Sequence, residues 1–103
     1  MTVNRRAKAL DDLTDHATYI ASDDPEASDR FLDAFAASVD RLAQMPNIGV
    51  AQHNENPALF GMRRWPIKGF EKYVIFYLVL EGTVDIVRVL HASQDLERIL
   101  QEE

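Results

Sequence analysis

Tyr73-Val-Ile-Phe-Tyr-Leu-Val-Leu80 decides how this chain is built. Its alternating positions are apolar or aromatic on both sides: Tyr73, Ile75, Tyr77 and Val79 on one, Val74, Phe76, Leu78 and Leu80 on the other. A strand without a polar face belongs in the middle of a sheet, covered above and below. Eight residues are few for a helix, and the β-branched and aromatic content favours extended backbone. Similar runs flank it, at about residues 60–67 and 84–91, joined through the Gly-containing links Lys68-Gly69-Phe70 and Glu81-Gly82-Thr83. Links this short predict three strands of about 60–67, 71–80 and 84–91 paired antiparallel as a meander. Pro66 cannot donate to a ladder, so it is expected at an edge or a bulge.

Upstream, the period changes from two to between three and four. Asn4 is the expected N-cap of a helix over about residues 5–21, with Leu10, Leu13, Ala17 and Ile20 as its apolar stripe. Ser22-Asp-Asp-Pro25 interrupts it. Asp24 then caps a second helix with Pro25 at the first position, where a missing N–H costs nothing. Ala27, Phe31, Ala34, Phe35, Val39 and Leu42 give its buried stripe, and Met45-Pro46 ends it. So short a break predicts an antiparallel helical hairpin. Residues 46–58 read as a surface loop. Thr2 and Val3 suggest a short edge strand, and Ser93 is the expected cap of a last helix over about residues 94–102, with Leu96, Ile99 and Leu100 inward. The expected class is α+β, in the order (β)ααβββα, a helical hairpin packed on a small antiparallel sheet.

With 103 residues, this is one domain spanning residues 1–103, large enough for a single core. The chain has no cysteine, which removes disulfides and thiolate metal sites and fits a reducing cytoplasm. A polar N-terminal segment excludes a signal peptide, and no apolar run approaches the length that spans a bilayer, so no membrane partner is expected. The net charge of −6 argues against a polyanion-binding surface, since phosphate binding relies on Lys and Arg. Charge is unevenly placed: residues 9–58 hold ten acids against Arg30 and Arg41, whereas residues 59–93 hold five cations against three acids. The sheet half is the basic half.

In order along the chain, Ala9-Leu-Asp-Asp-Leu13, Tyr19-Ile-Ala, Asp24-Pro-Glu-Ala27, Arg30-Phe-Leu-Asp-Ala-Phe35 and Leu42-Ala-Gln-Met-Pro-Asn-Ile-Gly49 are followed by Gly61-Met-Arg-Arg64, Phe70-Glu-Lys-Tyr-Val-Ile-Phe-Tyr77, Ile86-Val-Arg-Val-Leu-His-Ala92 and Asp95-Leu-Glu-Arg-Ile-Leu100. This succession resembles the ParE/RelE toxin superfamily of type II toxin–antitoxin systems, over about ninety residues, in joint order rather than in any one piece. Its details look more like the ParE branch. Val74 follows Tyr73 where the RelE pattern has an Arg, and the chain closes on Gln101-Glu-Glu103 without a terminal aromatic or basic pair. The resemblance implies a cytoplasmic protein inhibitor that binds DNA gyrase and does not itself bind nucleic acid. It also implies a hetero-oligomer with a cognate ParD-like antitoxin, whose C-terminal segment would lie across the hairpin and the sheet by helix-in-groove or strand addition. Phe31 and Phe35 on the second helix and Arg63, Arg64 and Trp65 on the first strand of the meander are the expected antitoxin contacts.

The alternatives within the superfamily are a ribosome-dependent endoribonuclease and an inert relative that only binds antitoxin. RNA cleavage needs a general acid or base and cations around the phosphate. The residues on offer are His91 as acid or base, with Arg63, Arg64, Lys72 and Arg88 as phosphate clamps and Tyr73 or Tyr77 for stacking. Strict alternation places His91 with Asp85, Val87 and Val89, and Arg88 on the opposite face, so both reach one phosphate only across a bulge or bend. The competing reading makes His91 a hydrogen-bonded residue at the strand end, and Trp65, Tyr73 and Tyr77 sheet core or groove lining. His16, His53 and His91 have no metal-ligand spacing. No Gly-rich phosphate loop or nucleophile elbow occurs, so no metal or cofactor is expected.

Overall fold

A two-residue turn decides the sheet: in the computed structural model, which describes residues 1–103, Gly82 at φ +69° joins β4 (Phe70–Leu80) to β5 (Thr83–His91). β3 (Arg63–Ile67) pairs antiparallel with the other side of β4, which gives the expected meander. The sheet is wider than the meander and mixed. β1 (Thr2–Arg5) lies parallel to β5, β2 (Val50–Ala51) adds a short antiparallel pair to Arg63 and Arg64, and the order is β1-β5-β4-β3-β2. The parallel pair exists because the hairpin of α1 (Ala7–Asp23) and α2 (Pro25–Gln44) crosses one face before the chain returns as strands. Pro66 sits where the β3–β4 register shifts, the bulge position that its missing N–H favours.

Both faces of the sheet are covered. On the hairpin side Phe31, Phe35, Val39 and Leu42 pack on Ile67, Ile75, Tyr77, Ile86 and Val89. On the other side Val74, Phe76, Leu78, Val87 and Leu90 meet Leu59, Met62 and α3 (Leu96–Gln101) through Leu96, Ile99 and Leu100. β4 therefore supplies two cores at once, as its two apolar faces require. Residues 46–58 are not simply a surface loop: they contain β2 and a 3₁₀ turn over Pro57–Leu59, with Asn56 and Leu59 buried. Asn56 caps that turn at Ala58 N–H, and its amide donates to the carbonyls of Leu100, Gln101 and Glu103, which ties the segment to the end of α3.

Two helix starts and part of one buried stripe differ from expectation. Arg6, not Asn4, precedes α1, because the Asn4 amide donates to Asp85 in the β1–β5 pair. The stripe of α1 is turned only at its start: Leu13, Ala17 and Ile20 pack on the hairpin-side core as expected, but Ala9 and Asp12 are buried and Leu10 is 44% exposed. Asp95, not Ser93, caps α3, while Ser93 is engaged with His91. Asp24 and Pro25 begin α2 as expected, the Asp24 carboxylate accepting from Ala27 N–H.

The turned stripe has an electrostatic cause. Asp12 receives two hydrogen bonds of 2.7 Å from the Arg88 guanidinium and one of 3.0 Å from Val89 N–H. Arg88 donates a third, also 2.7 Å, to Glu103. Asp12, then Glu103, hold the Arg88 pKa above its ordinary value against the opposing effect of burial. β5 bulges beside this contact: Phe76 faces Arg88 and Tyr77 faces Ile86, so Val87 has no partner. The extra residue reverses the alternation. Val89 and His91 lie on the hairpin face, whereas Val87 belongs to the other core, so the expected grouping of His91 with Asp85 and Val87 is wrong beyond the bulge. Removing one member of a mostly buried pair leaves an uncompensated charge. Asp12→Ala is expected to lower unfolding stability by about 3 kcal/mol, read as a fall in the urea midpoint with unchanged m-value.

Candidate functional site

Where α2 passes over β3, their side chains do not fill the space between them. The result is an open groove of about 470 Å³ lined by Ala34, Ala37, Ser38 and Arg41 from α2, Trp65 from β3 and Lys68 from the following turn. Helical spacing explains the α2 contribution: residues 34, 37, 38 and 41 follow one side of the helix, next to the buried Phe31, Phe35, Val39 and Leu42. Small side chains leave the floor low, and the Ser38 hydroxyl is turned inward to donate to Ala34 C=O at 2.8 Å. Trp65, half-buried, packs one side against the hairpin-side core.

The end of α2 is fixed beside this groove by a buried phenol. Tyr77 OH accepts from Gly49 N–H and donates to Pro46 C=O, both at 2.8 Å. Arg63 reinforces the segment by donating to Gly49 C=O at 2.7 Å and Asn47 C=O at 3.2 Å. Gly49 is required by space: a Cβ there would come within 2.7 Å of the Tyr77 ring and within 2.9 Å of Arg64 C=O. Burial raises the Tyr77 pKa, and the Gly49 hydrogen bond and Arg63 only partly oppose it. Burial, with Tyr19 nearby, raises that of Tyr73 as well.

The expected antitoxin contacts do not form one surface. Phe31 and Phe35 are core residues and present no side chain to a partner, because the apolar stripe of α2 is used up against the sheet. Arg63 is committed to backbone carbonyls. Arg64 is exposed, with no acidic partner, and alternation turns it to the face opposite Trp65. Of the five, Trp65 alone lines the groove. Sequence reasoning missed Ala34, Ala37, Ser38, Arg41 and Lys68. Ala34 had been assigned to the helix core, and the unpaired cations were the only available signal.

The ribonuclease set is likewise dispersed. Every guanidinium nitrogen of Arg88 is engaged by Asp12 or Glu103, and because Arg88 and His91 both follow the bulge they stay on opposite faces of β5. Arg63 is paired with Tyr77, four residues along β4 from the Tyr73 that faces His91, a separation of roughly 13 Å. Lys72 is exposed. His91 packs edge-on to Tyr73 at 4.7 Å between centroids, and its Nδ1 accepts from Ser93 N–H. Tyr73 also meets His16 and Phe31, while His16 Nε2–H donates to Val89 C=O at 2.8 Å. These rings tie α1, α2, β4 and β5 together. No group of three or more His, Asp or Glu side chains is arranged to hold a metal ion, and no helix is long and apolar enough to cross a membrane.

Comparison with known proteins gives a consistent result. Residues 3–96 match the family described as the ParE toxin of type II toxin–antitoxin systems, parDE. Toxin ParE1 of Mycobacterium tuberculosis, in strains H37Rv and CDC 1551, is 34% identical over 76 residues, covering 73% of this chain and 71% of the relative. A chain in the solved structure of a chromosomal ParDE toxin–antitoxin system from P. aeruginosa superposes with a TM-score of 0.72 at 21% identity, covering 88% of this chain and 95% of that one.

Two measurements check the local chemistry. Tyr77→Phe deletes both phenol hydrogen bonds and leaves Gly49 N–H and Pro46 C=O unsatisfied. A loss of about 1–3 kcal/mol is expected in denaturant titration, with faster amide exchange over residues 46–51. Because the folded pKa values of Tyr73 and Tyr77 lie above that of the free phenol, their contribution is complete below about pH 10 and is lost as pH rises through the folded values. Thermal midpoints should fall on the alkaline side of pH 10, and less steeply in Tyr77→Phe.

Proposed function

This chain belongs to the ParE toxin family of type II toxin–antitoxin systems, and from that membership we propose that it inhibits DNA gyrase by binding and is neutralised by a cognate ParD-like antitoxin in the cytoplasm. One observation supports inhibition by binding over RNA cleavage: two of the four cations that a ribonuclease would aim at a phosphate are used inside the fold. Arg88 is held by Asp12 and Glu103, and Arg63 by the carbonyls of Asn47 and Gly49. Phosphoryl chemistry requires preorganised positive charge that is free to meet the developing oxyanion. Of the remaining set, Arg64 is on the sheet face opposite the His91–Tyr73 rings, and Lys72 is exposed. A net charge of −6 also opposes loading onto ribosomal RNA. A target that is itself a protein makes no such demand.

Gyrase supercoiling of relaxed plasmid with ATP tests the proposal, with the folded chain added and a denaturing workup to reveal trapped cleavage. Loss of supercoiling with accumulation of linear DNA is expected, reversed by prior mixing with the antitoxin. Unaltered supercoiling at large excess, together with cleaved transcripts after induction in cells, would favour the ribonuclease. Neither effect would leave a relative that binds antitoxin only.

A further inference from the structure

Phe60 is 90% exposed, more than any other large apolar side chain of the protein, and the backbone holds it there. Leu59 before it and Met62 after it are buried in the core on the α3 side. Three turn hydrogen bonds fix the chain between them: Leu59 N–H to Asn56 C=O at 2.9 Å, Phe60 N–H to Pro57 C=O at 3.3 Å and Met62 N–H to Leu59 C=O at 3.1 Å. Gly61, at φ +82°, supplies the left-handed residue that returns the chain into β3. Asn56 ties the same turn to the end of α3. With both flanking side chains anchored, the Phe60 ring is kept in water and adds nothing to either core.

Two neighbours make the ring part of a surface. Val50 and Arg64 are directly opposed in the β2–β3 pair, so their side chains share a face, and both are exposed, Val50 by 58%. Arg64 has no carboxylate partner, unlike Arg6, Lys8, Arg30, Arg88 and Arg98. Four peptide units separate it from Phe60, which keeps the two Cα atoms within about 14 Å. Charge here is one-sided: from residue 41 to residue 70 Glu55 is the only acid, although the chain has seventeen. An aromatic knob beside an unpaired Arg, rigid before binding, is the combination that dominates the energy of protein–protein contacts. We propose that Phe60 anchors the chain to its protein target, the ring seated in an apolar pocket whose rim carries acids opposite Arg64. The inference rests on the reading above that DNA gyrase is that target. A second copy fits the patch poorly, because a two-fold contact would bring Arg64 towards its own copy and join two chains of net charge −6. Arg64 also points away from the face on which the hairpin packs, so a segment bound across the hairpin leaves it open.

The experiment compares the full chain with Phe60→Ala, Phe60→Tyr, Arg64→Glu and, on the opposite border of the sheet, Arg5→Glu. Each is titrated into gyrase supercoiling reactions and, by calorimetry, into gyrase and into the full-length antitoxin. Phe60→Ala should raise the half-inhibiting concentration roughly thirtyfold, about 2 kcal/mol, and Phe60→Tyr, which keeps the ring, should restore most of the inhibition. Arg64→Glu should raise it roughly tenfold, with a gap that narrows as NaCl rises. Arg5→Glu should match the wild type, and all four variants should bind antitoxin as the wild type does. Circular dichroism and thermal midpoints near wild type show that substitutions at these exposed sites leave the fold intact. Inhibition by Phe60→Ala and Arg64→Glu equal to that of the wild type would overturn the anchor while leaving the gyrase reading standing. A parallel loss of antitoxin affinity would make the patch an antitoxin contact and overturn it too. Concentration-dependent self-association abolished by Phe60→Ala would assign the ring to a second copy, with the same result. A wild-type chain that binds antitoxin but neither binds nor inhibits gyrase would overturn the gyrase reading and the inference with it.

Discussion

One guanidinium joins the parts of the molecule that have least sequence in common. Arg88 sits in the middle of β5 and uses its nitrogens on Asp12 from the first helix and Glu103 at the far end of the chain. Taking such charges out of water is costly, and the cost is offset only when each donor and acceptor finds a partner. Just past the bulge at Val87 that condition is met, since Arg88 donates to both Asp12 oxygens and Val89 N–H donates to the same carboxylate. The position of α1 over the sheet follows from this contact as much as from its apolar side chains. That is why Asp12 is buried and Leu10 is not.

Much of the architecture was legible from apolar periodicity. β4 declared itself through its two apolar faces, the α2 start through Asp24 and Pro25, and the meander through its short glycine-containing links. What periodicity could not convey was polar burial. Asp12 reads as a surface acid in any helical projection, and Glu103 as part of a solvated acidic tail, until Arg88 supplies the counter-charge. The bulge was equally invisible, because strict alternation has no local marker for an unpaired Val87. Asn56 illustrates the same gap: in sequence it is a loop residue before a proline, and its amide contacts with three carbonyls forty-four to forty-seven residues away exist only in the fold.

The groove was less legible than the fold. Trp65 was identified as a candidate, but its neighbours come from a helix some thirty residues earlier and are unremarkable as residue types. The phenylalanines that looked like anchors are spent on the core, and Arg63 holds the loop after α2. In a small domain the conspicuous aromatic and basic residues are needed for stability first. The groove between α2 and β3 is then left to alanines, a serine, one indole and cations without ion-pair partners.

Pro66 has a consequence beyond the shift of register that it marks. A five-stranded sheet ends in two exposed borders, and an uncovered border with free N–H groups is a template on which further copies polymerise. Here one border is the four-residue β1, which carries the exposed Arg5, and the other is the two-residue β2, beyond which the uncovered end of β3 carries Pro66. Neither gives a growing fibril a continuous row of donors. The same economy of backbone hydrogen bonds leaves neither border of the sheet a long template for edge-to-edge pairing.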